Sequence, residues 1–265
     1  MTDHLPGFDS NVPAASRRYN YLLGGKDNFA SDRASASGLA GILPQLPTGV
    51  AENRKLVLRT VRYLAADLGL RQFLDIGSGM PLSPMVHEVA QMVASDARVV
   101  YVDNDPLVAV HCRALCTSSP HGRVEFQDGD LLDPDAILHG DVLRATVDLK
   151  RPVAVLLCAV LHFEPDDVPV YSAVRRLVGA LPSGSAVVLT HATFDPLDTV
   201  PEVGAGHGRF RARTAAEVAA FLDGLELIPP GLVPTIRWHP ELEPAPASHL
   251  TDADAICYAA VARIP

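Results

Sequence analysis

Apolar positions along the chain alternate between two spacings, one suited to amphipathic helices and one to buried strands, and this alternation predicts an α/β protein. Val50, Val57, Val61, Leu64 and Leu68 recur near a 3.6-residue period, with Thr48 placed to cap that helix and Gly69 to close it. Beyond it, strands are expected at 73–76, 98–102, 124–127, 152–158 and 186–190, with helices at 83–95, 105–116, 168–180 and 214–222. The run holding Val153, Val155, Leu156 and Leu157 is too uniformly apolar for a half-exposed strand and reads as the central fourth one. Segments 225–228 and 255–262 should supply a final antiparallel pair. The expected fold is a doubly wound, mostly parallel seven-stranded sheet with an antiparallel C-terminal strand and an N-terminal helical extension.

The pattern divides the chain into an extension over 1–47, read as a helical cover or strap, and a main domain over 48–265. A helix starting near Pro13 should end at Gly24-Gly25, a pair suited to a left-handed cap. Segments 194–213 and 229–248 are rich in Pro and Gly and too long for ordinary connections, which suggests a lid or substrate wall.

Composition narrows the function classes. The chain has 265 residues, 48% of them hydrophobic, enough for a substantial core. A formal charge of −9 disfavours a broad nucleic-acid-binding face, since phosphate neutralisation needs clustered Lys and Arg, and the densest such run is Arg209-Phe210-Arg211-Ala212-Arg213. The sequence has neither a secretory apolar region nor an apolar run of about 18 residues, so a cytoplasmic, non-membrane protein is expected. Cys112, Cys116, Cys158 and Cys257 lack a CxxC spacing and read as reduced core residues; no metal site is assigned to Cys112 and Cys116 with His111 and His121. A small-molecule acceptor is the expected partner, and nothing in the pattern indicates an oligomeric state.

Candidate chemistry concentrates at the ends of the first strands. Asp75-Ile76-Gly77-Ser78-Gly79 is answered about 25 residues later by Asp103-Asn104-Asp105. Glycines permit a tight turn close to a ligand, and an acid ending the second strand can accept both ribose hydroxyl protons. A dinucleotide site would want a third Gly where Leu82 stands, and the acid at position 75 would repel phosphates while attracting an ammonium. S-adenosylmethionine has that ammonium and no phosphate. The alternative structural reading makes this a tight turn followed by a helix capped at Asp103 or Asp105.

The run Tyr19-Asn20-Tyr21-Leu22-Leu23-Gly24-Gly25-Lys26-Asp27-Asn28-Phe29 resembles the hallmark YDYLLGGKDNF of a bacterial family of S-adenosylmethionine-dependent methyltransferases with a Rossmann-like fold. The segments 73–81, 101–106, 129–131 and 159–163 extend the resemblance over roughly residues 12–263. It implies S-adenosylmethionine as cofactor, held by Tyr19, Asp75, Gly77, Gly79, Asp103, Asn104, Asp130, Leu131 and Val160. Asp130 would accept the adenine amino proton, or else it or Asp133 caps the next helix. One departure stands out, Asn20 in place of the usual Asp, which puts a cation-gripping role there in doubt; against Rossmann-like methyltransferases in general, Pro81 replaces a frequent third glycine. The resemblance implies no particular acceptor.

Methyl transfer mainly requires alignment of donor and acceptor and exclusion of water. If the acceptor must lose a proton, His162 is the candidate general base, with His191, Asp195 and His207 behind it. Each of these also has a packing or hydrogen-bonding reading. Phe210 and Trp238 are candidates for the acceptor pocket. Lys26 lacks the spacing of a phosphate loop. Two other function classes stay open: a non-catalytic nucleoside sensor, and an NAD-linked oxidoreductase weakened by Leu82.

Overall fold

The computed structural model describes residues 8–202, 208–244 and 249–265. Five strands, β1 (Gln72–Ile76), β2 (Arg98–Asp103), β3 (Arg123–Asp128), β4 (Ala154–Cys158) and β5 (Ala186–Ala192), pair in parallel. Two short strands, β6 (Glu226–Leu227) and β7 (Val233–Pro234), and the long β8 (Cys257–Arg263) complete the sheet. β8 runs antiparallel to β5, and β6 and β7 both pair with it. The order β3-β2-β1-β4-β5-β8-β6, with β7 beside β8, makes eight strands instead of the expected seven; the added one is only two residues long. Chain order reverses between β1 and β4, and at such a switch point the crossovers leave a crevice outside the strands' carboxyl ends.

Every residue of β1 is buried, Asp75 included, because helices cover both faces of the sheet. One face is packed by α3 (Leu46–Ala66), α4 (Val86–Val93) and α5 (Pro106–Leu115), and the other by α8 (Asp167–Val178) and the short α6 (Pro134–His139), α7 (Asp141–Thr146) and α9 (Ala215–Ala219). Thr48 is not a cap. α3 begins two residues earlier with Pro47 in its first turn, where a missing N–H costs nothing. α4 likewise starts at Val86, three residues later than expected, after Glu88 has taken the Met85 N–H at 2.5 Å. The short helix α10 (Asp252–Ala255) precedes β8, and the absence of a side chain at Gly49 lets Ile256 approach α3.

The extension holds two helices, α1 (Ala15–Leu22) and α2 (Ala30–Ile42), the second unexpected. Asp32 joins them: its carboxylate accepts from Arg17 Nε at 2.9 Å and from the backbone N–H groups of Ala14 and Phe29. The Arg17 guanidinium also lies over the rings of Phe8 and Phe29. α1 reaches the main domain through Ser16 Oγ, which donates to Asp105, and through Tyr19, whose hydroxyl accepts from Asn53 Nδ2 at 2.9 Å.

Candidate active site

A cavity of about 390 Å³ opens over the carboxyl ends of β1, β2, β3 and β4, beneath α1 and α2. That size falls within the range of small-molecule sites. Asp75, Gly77, Gly79, Asp103, Asn104, Asp130, Leu131, Val160, His162 and Tyr19, drawn from five separate stretches of sequence, all line it. Topology does this: each is at or just past the end of a parallel strand, except Tyr19, which α1 lowers onto the opening.

The glycine turn is shaped by its neighbours. Gly77 and Gly79 take φ values of +73° and +68°, and a Cβ at Gly77 would sit 2.4 Å from Val160. Val160 therefore backs the turn from the loop after β4. Asp103 stabilises the same turn, accepting the Gly79 N–H at 2.8 Å and the Asp105 N–H at 3.0 Å. Each bond uses one lone pair of a carboxylate oxygen and leaves another for a ligand hydroxyl. The capping alternative belongs to Asp105, which accepts the Leu107 N–H at the start of α5. Similarly Asp133 caps α6, while Asp130 takes the Leu132 N–H at 2.8 Å and the Asn104 side chain at 3.4 Å.

Charge in the cavity is unevenly satisfied. The Asp75 carboxyl makes no hydrogen bond among the described residues, and burial, with the nearby Asp103 carboxylate, pushes its pKa up to about 7 against the opposing pull of Arg54. Burial also raises Asp103. Arg54 is itself held by the carbonyls of Leu82 and Pro84, both at 2.6 Å. The Ser78 hydroxyl and Asn53 Oδ1, both in residues lining the cavity, are buried without a protein partner. A site with a lone carboxylate, an orphan hydroxyl and a glycine turn suits a ligand with an ammonium and a ribose, so the residues present fit S-adenosylmethionine.

His162 lies in the short helical turn Leu161–Phe163 and is buried. Its Nδ1 accepts the Ala192 N–H at 3.3 Å, and burial, with His191 and Arg213 nearby, holds its pKa well below the usual histidine value. The ring is neutral, and with Nδ1 accepting, its proton sits on Nε2. His191 turns away from the cavity: its Nε2 takes a hydrogen bond from Arg213 at 2.9 Å and its Nδ1 donates to the Ala192 carbonyl. Asp195 is equally committed, to the Ala215 N–H and the Tyr258 hydroxyl. His207 falls outside the described residues.

The remaining walls are apolar. Phe210 lines the cavity with Phe163 and Phe194, so two residues of segment 194–213 do form part of the wall. Trp238 does not: it is fully buried against Tyr63 on α3, and the described residues 229–244 strap that helix through Arg59, which donates to the carbonyls of Trp238 and Thr235. Leu22, Leu39, Leu43 and Leu46 form the wall that sequence reasoning missed, together with Arg18. Only the i, i+4 spacing of Arg18 and Leu22 hinted at it, because α2 itself is rich in Ala, Ser and Gly and carries a weak apolar stripe. The Gly24-Gly25 turn closes α1 with Gly24 at φ +79°, as expected, but is not part of the wall. Asn20 faces that turn, its Oδ1 accepting from the Asp27 N–H and from Asn28 Nδ2, so position 20 shapes the loop and grips no cation.

A family-wide sequence profile described as S-adenosyl methyltransferase matches residues 1–265. The chain belongs to that family. It is therefore an S-adenosylmethionine-dependent methyltransferase with a Rossmann-like fold. A DUF574 family protein from Streptomyces avermitilis MA-4680 is 42% identical, over 97% of this chain and 99% of its own, with a TM-score of 0.92. A protein from Thermobifida fusca YX named as a candidate methyltransferase is 37% identical, over 100% and 99%, with a TM-score of 0.84. Magnesium protoporphyrin IX methyltransferase from Synechocystis PCC 6803, solved with bound SAH, shares the fold at 13% identity and a TM-score of 0.52 over 94% and 93%. A search of curated proteins finds no match.

Proposed function

We propose that this enzyme methylates a small, largely apolar acceptor, with donor and acceptor sharing the one cavity. The carrying observation is the continuity of a polar end, at Asp75, Asp103 and Asp130, with an apolar end walled by leucines of α1 and α2 and by Phe194 and Phe210. In this reading S-adenosylmethionine, when bound, supplies an electrophilic methyl group. Asp75 takes its ammonium, Asp103 the ribose hydroxyls, Asn104, Asp130 and Leu131 the adenine, and the backbone at Gly77 and Gly79 passes close to the ligand. Tyr19 and Val160 flank the methionine end, and the α1–α2 pair excludes water.

His162 acts in this scheme as a hydrogen-bond donor that orients the acceptor. Serving as a base through Nε2 would require the other tautomer, whose Nδ1–H would face the Ala192 N–H. A non-nucleic-acid acceptor is supported by the basic run near residue 211, whose arginines are already paired: Arg209 with Asp166, Arg211 with Asp167 and Glu217, and Arg213 with Asp167. No helix among the described residues is long and apolar enough to cross a membrane. Incubation of the enzyme with methyl-labelled S-adenosylmethionine and a fractionated bacterial small-molecule extract tests the reading. Label should appear in an organic-soluble product; cofactor binding without any transfer would favour the sensor.

A further inference from the structure

Arg18 is 8% exposed and lines the cavity, and its guanidinium makes no hydrogen bond or ion pair among the described residues. A buried arginine in that state is costly, since a charge removed from water needs a partner. The carboxylate whose field acts on Arg18 is Asp32, and it is already consumed by Arg17 Nε and two backbone N–H groups. Arg17 adds a second positive charge beside it. The guanidinium is thus an unneutralised cation facing a ligand cavity.

Its location separates it from the polar end. Arg18 stands on α1 of the extension, whereas Asp75 and Asp103 stand at the ends of β1 and β2 in the sheet. One turn further along α1 is Leu22, and α2 with the residue that follows it contributes Leu39 and Leu43, so Arg18 is set in the apolar part of the wall. We propose that Arg18 is the anion-binding residue of the acceptor compartment, and that the methyl acceptor is a mainly apolar molecule carrying a carboxylate. The planar guanidinium fork matches a carboxylate with two parallel hydrogen bonds, and the apolar surroundings strengthen that pairing. This rests on the reading of the cavity as a joint donor and acceptor site.

The test is calorimetric titration of enzyme saturated with S-adenosylhomocysteine, using cinnamate and octanoate against their neutral amides, for the native chain, Arg18→Gln and Arg18→Lys. The native chain should prefer the acids by about ten-fold or more, Arg18→Gln should lose that preference with affinity for S-adenosylhomocysteine kept within about two-fold, and Arg18→Lys should retain part of it. An acid preference absent from the native chain, or surviving in Arg18→Gln, overturns the proposal. So does a fall of about ten-fold in S-adenosylhomocysteine affinity in Arg18→Gln with binding of methylthioadenosine unchanged, since the fork would then hold the cofactor's own carboxylate. Failure of the native chain to bind S-adenosylhomocysteine would overturn the cofactor assignments at Asp75 and Asp103 first, and this proposal with them.

Discussion

At Asp75, stability and the proposed binding role pull against each other. Its folded pKa is raised to about 7, so the native state holds a proton that the unfolded chain releases near the ordinary carboxylate value. The folded state therefore loses stability as pH climbs from about 4 to 7, and the loss is complete above that window. Asp75→Asn removes the buried charge and should stabilise the ligand-free protein at pH 8 by on the order of 2–4 kcal/mol while changing it little at pH 4. The same variant should bind S-adenosylhomocysteine more weakly at pH 8, and native affinity should rise with pH through about 7. Denaturant unfolding and calorimetry at both pH values check this; an Asn variant less stable at pH 8 would contradict the assignment. Asp75, Asp103 and Asp130 were legible in the sequence because strand periodicity fixes where a strand ends. Arg18, Asn53 and Ser78 were not, because their importance lies in lacking partners, and that is a property of the assembled cavity.

At the scale of elements, the turn after β1 and the loop after β4 act as one unit. Gly77 and Gly69 share a positive φ, yet a Cβ at Gly69 would meet nothing within 4 Å, whereas one at Gly77 would strike Val160. Gly69→Ala should therefore cost about 1–2 kcal/mol from backbone conformation alone, and Gly77→Ala clearly more, with loss of cofactor affinity only in the second. Equal thermal destabilisation with unchanged affinity in both would show that Val160 does not brace the turn. Parallel strands and long helices were readable because burial on both faces leaves uniform apolar runs. The helix α2 escaped because its 13 residues hold few large apolar side chains, and its position depends on the buried Asp32 tying it to α1. Similarly, nothing in the local pattern around Trp238 distinguishes a pocket wall from a strap over α3; only the Arg59 bonds decide.

At the scale of the whole molecule, the sheet presents the groups proposed to bind the cofactor, and an N-terminal helix pair covers them. A chain beginning at Gln45 keeps α3 and the sheet, so it should still unfold cooperatively, but it loses the wall carrying Tyr19, Leu22, Leu39 and Leu43 and should bind S-adenosylhomocysteine at least about ten-fold more weakly. Full affinity in that truncated chain would remove the helix pair from the site. The central claim, that the crevice at the β1/β4 switch point holds the methyl donor through Asp103, is tested most directly by titrating the full-length protein and its Asp103→Ala variant with S-adenosylhomocysteine in a calorimeter. The native protein should show saturable one-to-one binding, and the variant, folded to the same degree, an affinity lower by roughly 10- to 150-fold, the loss of hydrogen bonds to one carboxylate. Absence of binding by the native protein, or equal affinity in the folded variant, would contradict it.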